Sequence, residues 1–328
     1  MLTILKCLDA HVQLAKVYCY DIGLGRWWSP PSWQPRWFAV RERPVNGLDD
    51  LADKLGKLAS RRDLCVIRGK PLPGVSLDRC QRRYRKEPRA FAPEPRRWLM
   101  LDIDGLDDPP GSDMMSDPES CIEHAIAQLP DEFQDVSCYW QGSSSAGIKP
   151  GVHAHLWYYL SRPIGDSEAR GWLWGAPVDR ALFNPIQLHY TADPIFDLGA
   201  RDPLPRRSGM RDGLEDVVPV PDELPERPPL ADAVPVQFEG SIDLPSISDA
   251  LSRSRAARAL WNGERVMNDR SEAHWAFGCA LARAGLRDPD SLHAALVAFD
   301  EHRGIDLSKI QRRDYAEMTV AKILAVVS

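Results

Sequence analysis

Trp98 to Gly105 reads WLMLDIDG, and the alternation within it decides the fold class. Leu99, Leu101 and Ile103 interleave with Trp98, Met100, Asp102 and Asp104, so an extended strand buries the first set and turns both carboxylates to the other face. Two acids on one strand face repel each other unless a positive charge lies between them. A divalent cation suits that place, because hard ions such as Mg²⁺ take oxygen ligands and are commonly held by one or two carboxylates together with substrate phosphates.

The charge around this strand is sharply divided. From Arg61 to Arg97 the chain carries twelve Lys and Arg against four acids, among them Arg68, Arg82, Arg83, Arg85, Lys86, Arg89 and Arg96. From Trp98 to Ile148 there is no Lys or Arg at all. The overall charge of −6 speaks against a general nucleic-acid coat, yet a basic segment feeding an acidic, cation-collecting one suits a site that holds a polyanion beside a metal.

Working outward, Trp27, Trp28, Trp33 and Trp37 mix with prolines, offering either packing or base stacking. Residues 46–58 have leucines spaced for one helical face, and 64–70 (LCVIRGK) reads as a short strand. Downstream, Asp117 is placed to cap a helix with Pro118 at its first position and Ile122, Ile126 and Leu129 as its buried stripe. Residues 136–141 read as a strand, 142–151 (GSSSAGIKPG) as a turn-rich loop, and 152–160 as a strand with Val152, Ala154, Leu156, Tyr158 and Leu160 on one face and His153, His155, Trp157 and Tyr159 on the other. A helical stretch near 166–174 follows. The expected organisation is α+β over 1–212, a Pro-rich linker over 213–246, and a small all-α helical bundle over 247–328 with breaks at Gly285 and Gly304 and a cap signal at Asn268 to Ser271.

The seven cysteines are scattered, odd in number and never spaced CxxC, which excludes a disulfide framework or cysteine zinc site and predicts reduced, buried thiols. No apolar run approaches the ~20 residues needed to cross a bilayer, so a cytoplasmic protein without membrane association is expected. The absence of GxxxxGK[ST] argues against a P-loop ATPase, and HExxH and GxSxG are missing too. His153 and His155 invite a zinc reading, but no third nitrogen or sulfur ligand stands at a characteristic spacing. The remaining constellation is a DxD strand, then a Ser-rich loop with Lys149, then HAH on a later strand. It suits phosphoryl transfer, with carboxylates on metal and the loop and a histidine on a triphosphate.

In that order of motifs the chain resembles the archaeo-eukaryotic primase superfamily, the primase-polymerases, of the kind encoded by plasmids, phages and integrated elements. The landmarks are LMLDID ending at Asp104, a small-residue-x-His motif ending at His155, and a later hydrophobic-Asp motif. Residues 268–286 are similar to the helical domain that often follows the catalytic core in such proteins. The resemblance implies an α/β unit joined to an RRM-like unit, with the site in the cleft between them. It further implies a DNA-dependent primase or polymerase that makes primers on single-stranded template by two-metal nucleotidyl transfer, using Mg²⁺ or Mn²⁺ and nucleoside triphosphates, with a separate replicative helicase as a further partner. Asp102 and Asp104 are the implied metal ligands and His155 the phosphate contact. Val178–Asp179 best fits the third acidic motif, ahead of Asp193, with Asp197 and Asp202 also open. Ser144, Ser145, Lys149 and His189 are the expected nucleotide contacts, Gln187 and Tyr190 their neighbours, and Arg201, Arg206 and Arg207 candidates for template or phosphate. Two other classes compete. Asp-Ile-Asp-Gly also resembles haloacid-dehalogenase phosphatases, although Leu106 stands where Thr or Val is wanted and about 100 residues precede a motif that normally opens a doubly wound domain. A non-catalytic DNA-binding replication protein is the other.

Overall fold

The computed structural model describes residues 1–31, 35–82, 90–224, 238, 244–264, 267 and 270–327, so Trp33, the basic cluster Arg83, Arg85, Lys86 and Arg89, the Pro-rich run at 225–237 and the cap residue Asn268 lie outside the described residues. The chain divides into two compact units, Met1–Arg227 and Pro228–Ser328. The first runs β1 (Leu2–Cys7), β2 (Val17–Asp21), β3 (Arg26–Trp28), β4 (Trp37–Arg43), α1 (Leu48–Ala59), β5 (Leu64–Ile67), β6 (Lys70–Pro71), β7 (Cys80–Gln81), β8 (Phe91–Ala92), β9 (Arg96–Leu106), α2 (Pro118–Ile126), α3 (Asp131–Gln134), β10 (Cys138–Gly142), β11 (Val152–Ile164), α4 (Asp166–Trp172), β12 (Ile195–Asp197) and β13 (Ser208–Arg211). It is a mixed α+β unit.

WLMLDIDG is the middle of β9, the edge strand of an antiparallel sheet ordered β13-β10-β11-β9. Its alternation is expressed as expected on one face: Leu99, Leu101 and Ile103 join Leu156, Tyr158 and Cys121, Ile122 and Ile126 of α2 in the largest core. Asp117 caps α2 by accepting from the Ser120 N–H at 3.1 Å. The other face is covered over most of its length. Trp98 and Met100 are buried there with Trp157 and Tyr139 under Leu51, Leu55 and Leu58 of α1. Residues with 3.6-residue spacing in the first 60 thus supply a lid for the sheet, and the face is open only at its acidic end.

The N-terminal strands form a second sheet, the antiparallel β5-β1-β4-β7, and β12-β2-β3 form a third, mixed one. Two arginines of the basic segment fasten the first of these to the β9 sheet. Arg68 is 1% exposed; its Nε donates to Asp166 Oδ1 at 2.6 Å, and its other nitrogens donate to the Trp98 and Ile164 carbonyls at 2.9 Å each. Arg96 donates to the Arg68 and Gly69 carbonyls, to Thr3 Oγ1 and to the Met1 carbonyl. A guanidinium survives such burial because each of its nitrogens finds an acceptor. These two side chains therefore do not belong to a polyanion surface, contrary to the reading of the segment as one. Arg61 pairs with Asp63, Lys70 with Glu94, and Arg82 donates to the Ile186 carbonyl.

The expected linker starts too early. Val218 is fully buried, its N–H donates to the Tyr159 carbonyl at 2.8 Å, and its carbonyl accepts from Ser161 N–H at 3.0 Å. Glu215 likewise bridges Val136. Residues 213–220 therefore complete the first unit by pairing along strands of the sheet, which Pro219 and Pro221 do not prevent because neither must donate there.

The second unit holds α5 (Leu244–Arg253), α6 (Arg255–Trp261), α7 (Arg270–Arg283), α8 (Pro289–His302) and α9 (Arg313–Val327) around Phe277, Leu281, Leu296, Phe299 and Ile323. Gly285 and Gly304, at φ of 104° and 63°, follow α7 and α8 as the sequence predicted, taking up the left-handed conformation that ends helices. Within the bundle, His274 and Asp300 are both fully buried and meet at 2.9 Å, with Arg270 donating to the same carboxylate. All seven cysteines are buried free thiols. Among the described residues no helix is long and apolar enough to cross a membrane.

Candidate functional site

The antiparallel register of β9 against β11 sets Asp102 opposite His155 and Asp104 opposite His153, and β10 adds Gln141 opposite His155. Cross-strand partners share a face, so Asp102, His155 and Gln141 form a row across three strands. This row walls a cleft of about 330 Å³. Asp104, Ser143, Ser144 and Ser145 line it on the same side, and Gln13, Lys16, Thr191 and Asp193 also contribute.

The two aspartates are treated oppositely by their surroundings. His153, 4% exposed, lies with Nδ1 2.7 Å from Asp104 Oδ1 and Nε2 3.1 Å from the Pro150 carbonyl. Both neighbours are acceptors, and the shorter contact ties the ring to the Asp104 carboxylate. That hydrogen bond, with the charges of His153 and Lys149, holds the Asp104 carboxyl below its usual range. Among the described residues Asp102 has no histidine within hydrogen-bond distance. Burial, then repulsion by Asp104 and Asp179, pushes it up to about 7. His155 Nε2 is 3.6 Å from Asp102 Oδ1, too far for a good hydrogen bond, and burial pushes its ring down to about 4, so it is neutral at pH 7. A neutral ring offers one N–H and one acceptor to whatever enters the cleft.

The serine loop is held by a side chain. Arg207, 9% exposed, grips Asp202 with two nitrogens at 2.6 and 2.8 Å and donates to the Ser143 carbonyl at 3.0 Å and the Ala146 carbonyl at 3.4 Å. Its donors are thus committed to the loop, and it is not the template contact expected of it. Arg206 pairs with Glu119 and sits over the Trp140 ring, while Arg201 is exposed beside a second, separate groove. At the base of the loop Gly151 has φ of 88°, and a Cβ there would stand 2.6 Å from the Leu106 carbonyl oxygen, so glycine is required where β11 leaves β9.

Ser144 and Ser145 stand in the cleft wall, and Lys149 is exposed with its charge acting on Asp104. His189 is elsewhere. It is 1% exposed, edge-on to Trp98 and Trp157 at 5.8 and 6.2 Å, with its backbone paired to Val66. Burial pushes its ring down to about 3 and neither nitrogen has a partner among the described residues, so it is a core residue rather than a nucleotide contact. The His189 side chain is packed into the core, while the next two residues, Tyr190 and Thr191, line the cleft.

The acidic candidates separate as well. Asp179 is exposed, caps a 3₁₀ turn at Arg180–Leu182 by accepting from Ala181 N–H at 2.8 Å, and donates its own N–H to the Asp102 carbonyl at 2.9 Å. Asp193 lines the cleft, and burial raises its carboxyl, with Arg207 and Asp202 as its charged neighbours. Asp202 is taken by Arg207, and Asp197 accepts from Leu198 N–H. Gln187 is half-buried and its N–H donates to the Asn184 carbonyl. Sequence reasoning missed Gln141, whose carbonyl oxygen accepts from Trp157 Nε1 at 3.1 Å while its amide donates to the Thr191 carbonyl at 3.3 Å. A lone polar residue in the strand CYWQG was the available signal.

Among the described residues no group of three or more His, Cys, Asp or Glu is arranged to hold a metal ion by itself. The pair Asp102 and Asp104 instead fits an ion whose remaining ligands are water and substrate phosphates, the usual pattern for Mg²⁺. Thr191 belongs to the cleft lining, and its hydroxyl is buried with no partner among the described residues. The antiparallel sheet also removes the phosphatase reading, which requires the acidic motif on a strand of a doubly wound parallel sheet.

Comparison with known proteins finds no matching family model and no matching solved structure. Over 199 residues the chain is 27% identical to a protein of Escherichia phage T5 described as "Putative replication origin binding protein". The match takes in 56% of this chain and 21% of the phage protein, so the chain spans about a fifth of that relative's length.

Proposed function

We propose that the first unit is a primase-polymerase core that copies single-stranded DNA template by metal-dependent nucleotidyl transfer during replication of a phage or related mobile element. The observation that carries this reading is the paired register Asp102–His155 and Asp104–His153 on the wall of a cleft that also presents Ser143 to Ser145.

In this reading Asp102 and Asp104 hold Mg²⁺ or Mn²⁺ together with the triphosphate of the incoming nucleotide. The ion, when bound, lowers the charge on the phosphates and activates the attacking 3′-hydroxyl. His153 keeps Asp104 ionised and oriented, as partners behind a ligating carboxylate do. Neutral His155 donates one hydrogen bond to a phosphate oxygen, and the serine loop, shaped by Arg207, adds hydroxyl donors. Lys149 and Lys16 bring positive charge to the two sides of the cleft. No protein nucleophile is needed. Asp179, whose charge acts on Asp102, remains the first candidate for a third ligand and Asp193, in the cleft wall, the second.

The test is primer synthesis and primer extension by the purified protein with single-stranded template, nucleoside triphosphates and Mg²⁺ or Mn²⁺. Asp102→Asn and Asp104→Asn are each expected to lower the rate on the order of a thousandfold, since metal-assisted charge stabilisation is worth several kcal/mol. The name of the phage relative favours a second reading, an origin-binding protein without catalysis. Tight DNA binding with no synthesis, or synthesis indifferent to both substitutions, decides for that reading. The helical unit is assigned a part in initiation, so removal of residues 228–328 should impair de novo initiation more than extension.

A further inference from the structure

The small sheet β12-β2-β3 carries an aromatic face that the cleft chemistry does not use. β2 and β3 form a hairpin in which Tyr20 lies opposite Trp27, and β12 joins in parallel with Phe196 opposite Tyr18. Four rings therefore share one face, with Tyr18 and Phe196 stacked at 6.3 Å, Trp27 edge-on to Phe196 at 5.7 Å, and Tyr20 edge-on to Trp27 at 5.0 Å. Exposure grows along the row from Tyr18 at 4% to Tyr20 at 41%. At the exposed end a groove of about 200 Å³ is lined by Tyr20, Ile22, Trp27, Leu198, Ala200 and Arg201.

Three features point to an occupant. Leu198 is 76% exposed at φ of 54°, so the loop after β12 holds an apolar side chain in water on a backbone conformation costly for a branched residue. Two cations flank the rings: Lys16 sits over Tyr18 at 5.2 Å and Arg201 is in the groove, whereas Arg207, over Phe196, is committed to Asp202 and the serine loop. The nearby acids Asp21 and Asp197 each accept a loop N–H, from Leu24 and Leu198. Finally, the sheet adjoins the cleft along the chain, since Lys16 immediately precedes β2, Asp193 lies two residues before β12, and both line the cleft.

We propose that this aromatic face is a track for single-stranded DNA, seating an unstacked base against Tyr20 and Trp27 and a neighbouring phosphate on Arg201, and leading the strand into the Asp102 and Asp104 cleft. Rings accept any base through its flat face, and interleaved cations follow the phosphates, the pairing by which single strands are held without sequence readout. A protein partner would satisfy the apolar groove but leaves the flanking cations and the adjoining cleft unexplained. That the strand is a template rests on the function proposed above; the track itself does not.

Fluorescence anisotropy of a labelled oligo(dT) with the full chain tests it. Tyr20→Ala should weaken binding by about five- to a hundredfold, the range for loss of one stacking ring, and Tyr20→Phe should restore it. Arg201→Gln should reduce the slope of log affinity against log salt by about 0.7. Trp28→Ala, on the opposite face of β3, should leave both unchanged. Wild-type affinity and slope in a Tyr20→Ala, Arg201→Gln double variant overturn the proposal, as does a wild-type dimer that these substitutions dissociate without altering DNA affinity. If the wild type makes no DNA and the track variants still lose oligo(dT), the polymerase reading fails and the track stands.

Discussion

Replacing Asp102 by asparagine should stabilise the protein in a pH-dependent way, although it removes a proposed metal ligand. In the folded chain the Asp102 carboxyl titrates at about 7, raised by burial and by Asp104 and Asp179, against an ordinary value of 3.8. A group raised in this way contributes stability that is complete below pH ~4, where it is protonated in both states. That contribution is lost as pH rises through about 7, because the unfolded chain ionises first. The difference is worth at most about 4 kcal/mol at ~1.4 kcal/mol per pH unit. The side chain is 22% exposed, and solvent reduces the figure to about 2–3 kcal/mol. Asparagine keeps the shape and carries no charge, so the variant should gain on the wild type between pH 4 and 7 and hold that gain above pH 7.5. For a unit of this size the gain corresponds to a Tm about 4–10 °C higher at pH 8. Thermal and urea melts at pH 4.5, 6 and 8 in metal-free buffer measure it. A variant that is less stable at pH 8, or whose advantage does not change with pH, refutes the electrostatic account of the site.

Three further outcomes follow from the same geometry. Asp104→Asn should behave oppositely, losing about 1–2 kcal/mol above pH ~4 because the His153 bond that holds Asp104 low is weakened, with half-exposure of Asp104 limiting the effect; melts on the same pH series check it. Arg68→Met should cost about 3–5 kcal/mol by leaving buried Asp166 without its partner, read as a lower Cm in urea. A fragment ending at Asp212 should melt well below one ending at Arg227, since only the longer retains Val218 and its bonds to Tyr159 and Ser161, and calorimetry of the two separates them.

Local pattern was enough to read much of this protein. Period-two alternation gave β9 and β11 and their faces, Asp117 and Pro118 gave the start of α2, and the leucine spacing gave α1, because each depends on neighbours within a few residues. The Pro-rich composition after 213 misled, since pairing by Glu215 and Val218 depends on strands more than fifty residues earlier in the chain. His189 misled for a related reason, because a histidine beside a site and one packed on two tryptophans look alike until its tertiary neighbours are known.

By itself, then, the sequence determined that Asp102 and Asp104 share a strand face and that His153 and His155 share another. Only the tertiary structure decided that β9 and β11 are neighbours in a register that gives each acid its own histidine. It also decided that Arg207 is committed to the serine loop, and that a leucine helix from the first 60 residues closes the rest of the acidic face. Periodicity is a property of one strand, whereas register, burial and the competition of donors for acceptors arise only when strands far apart in the chain are brought together.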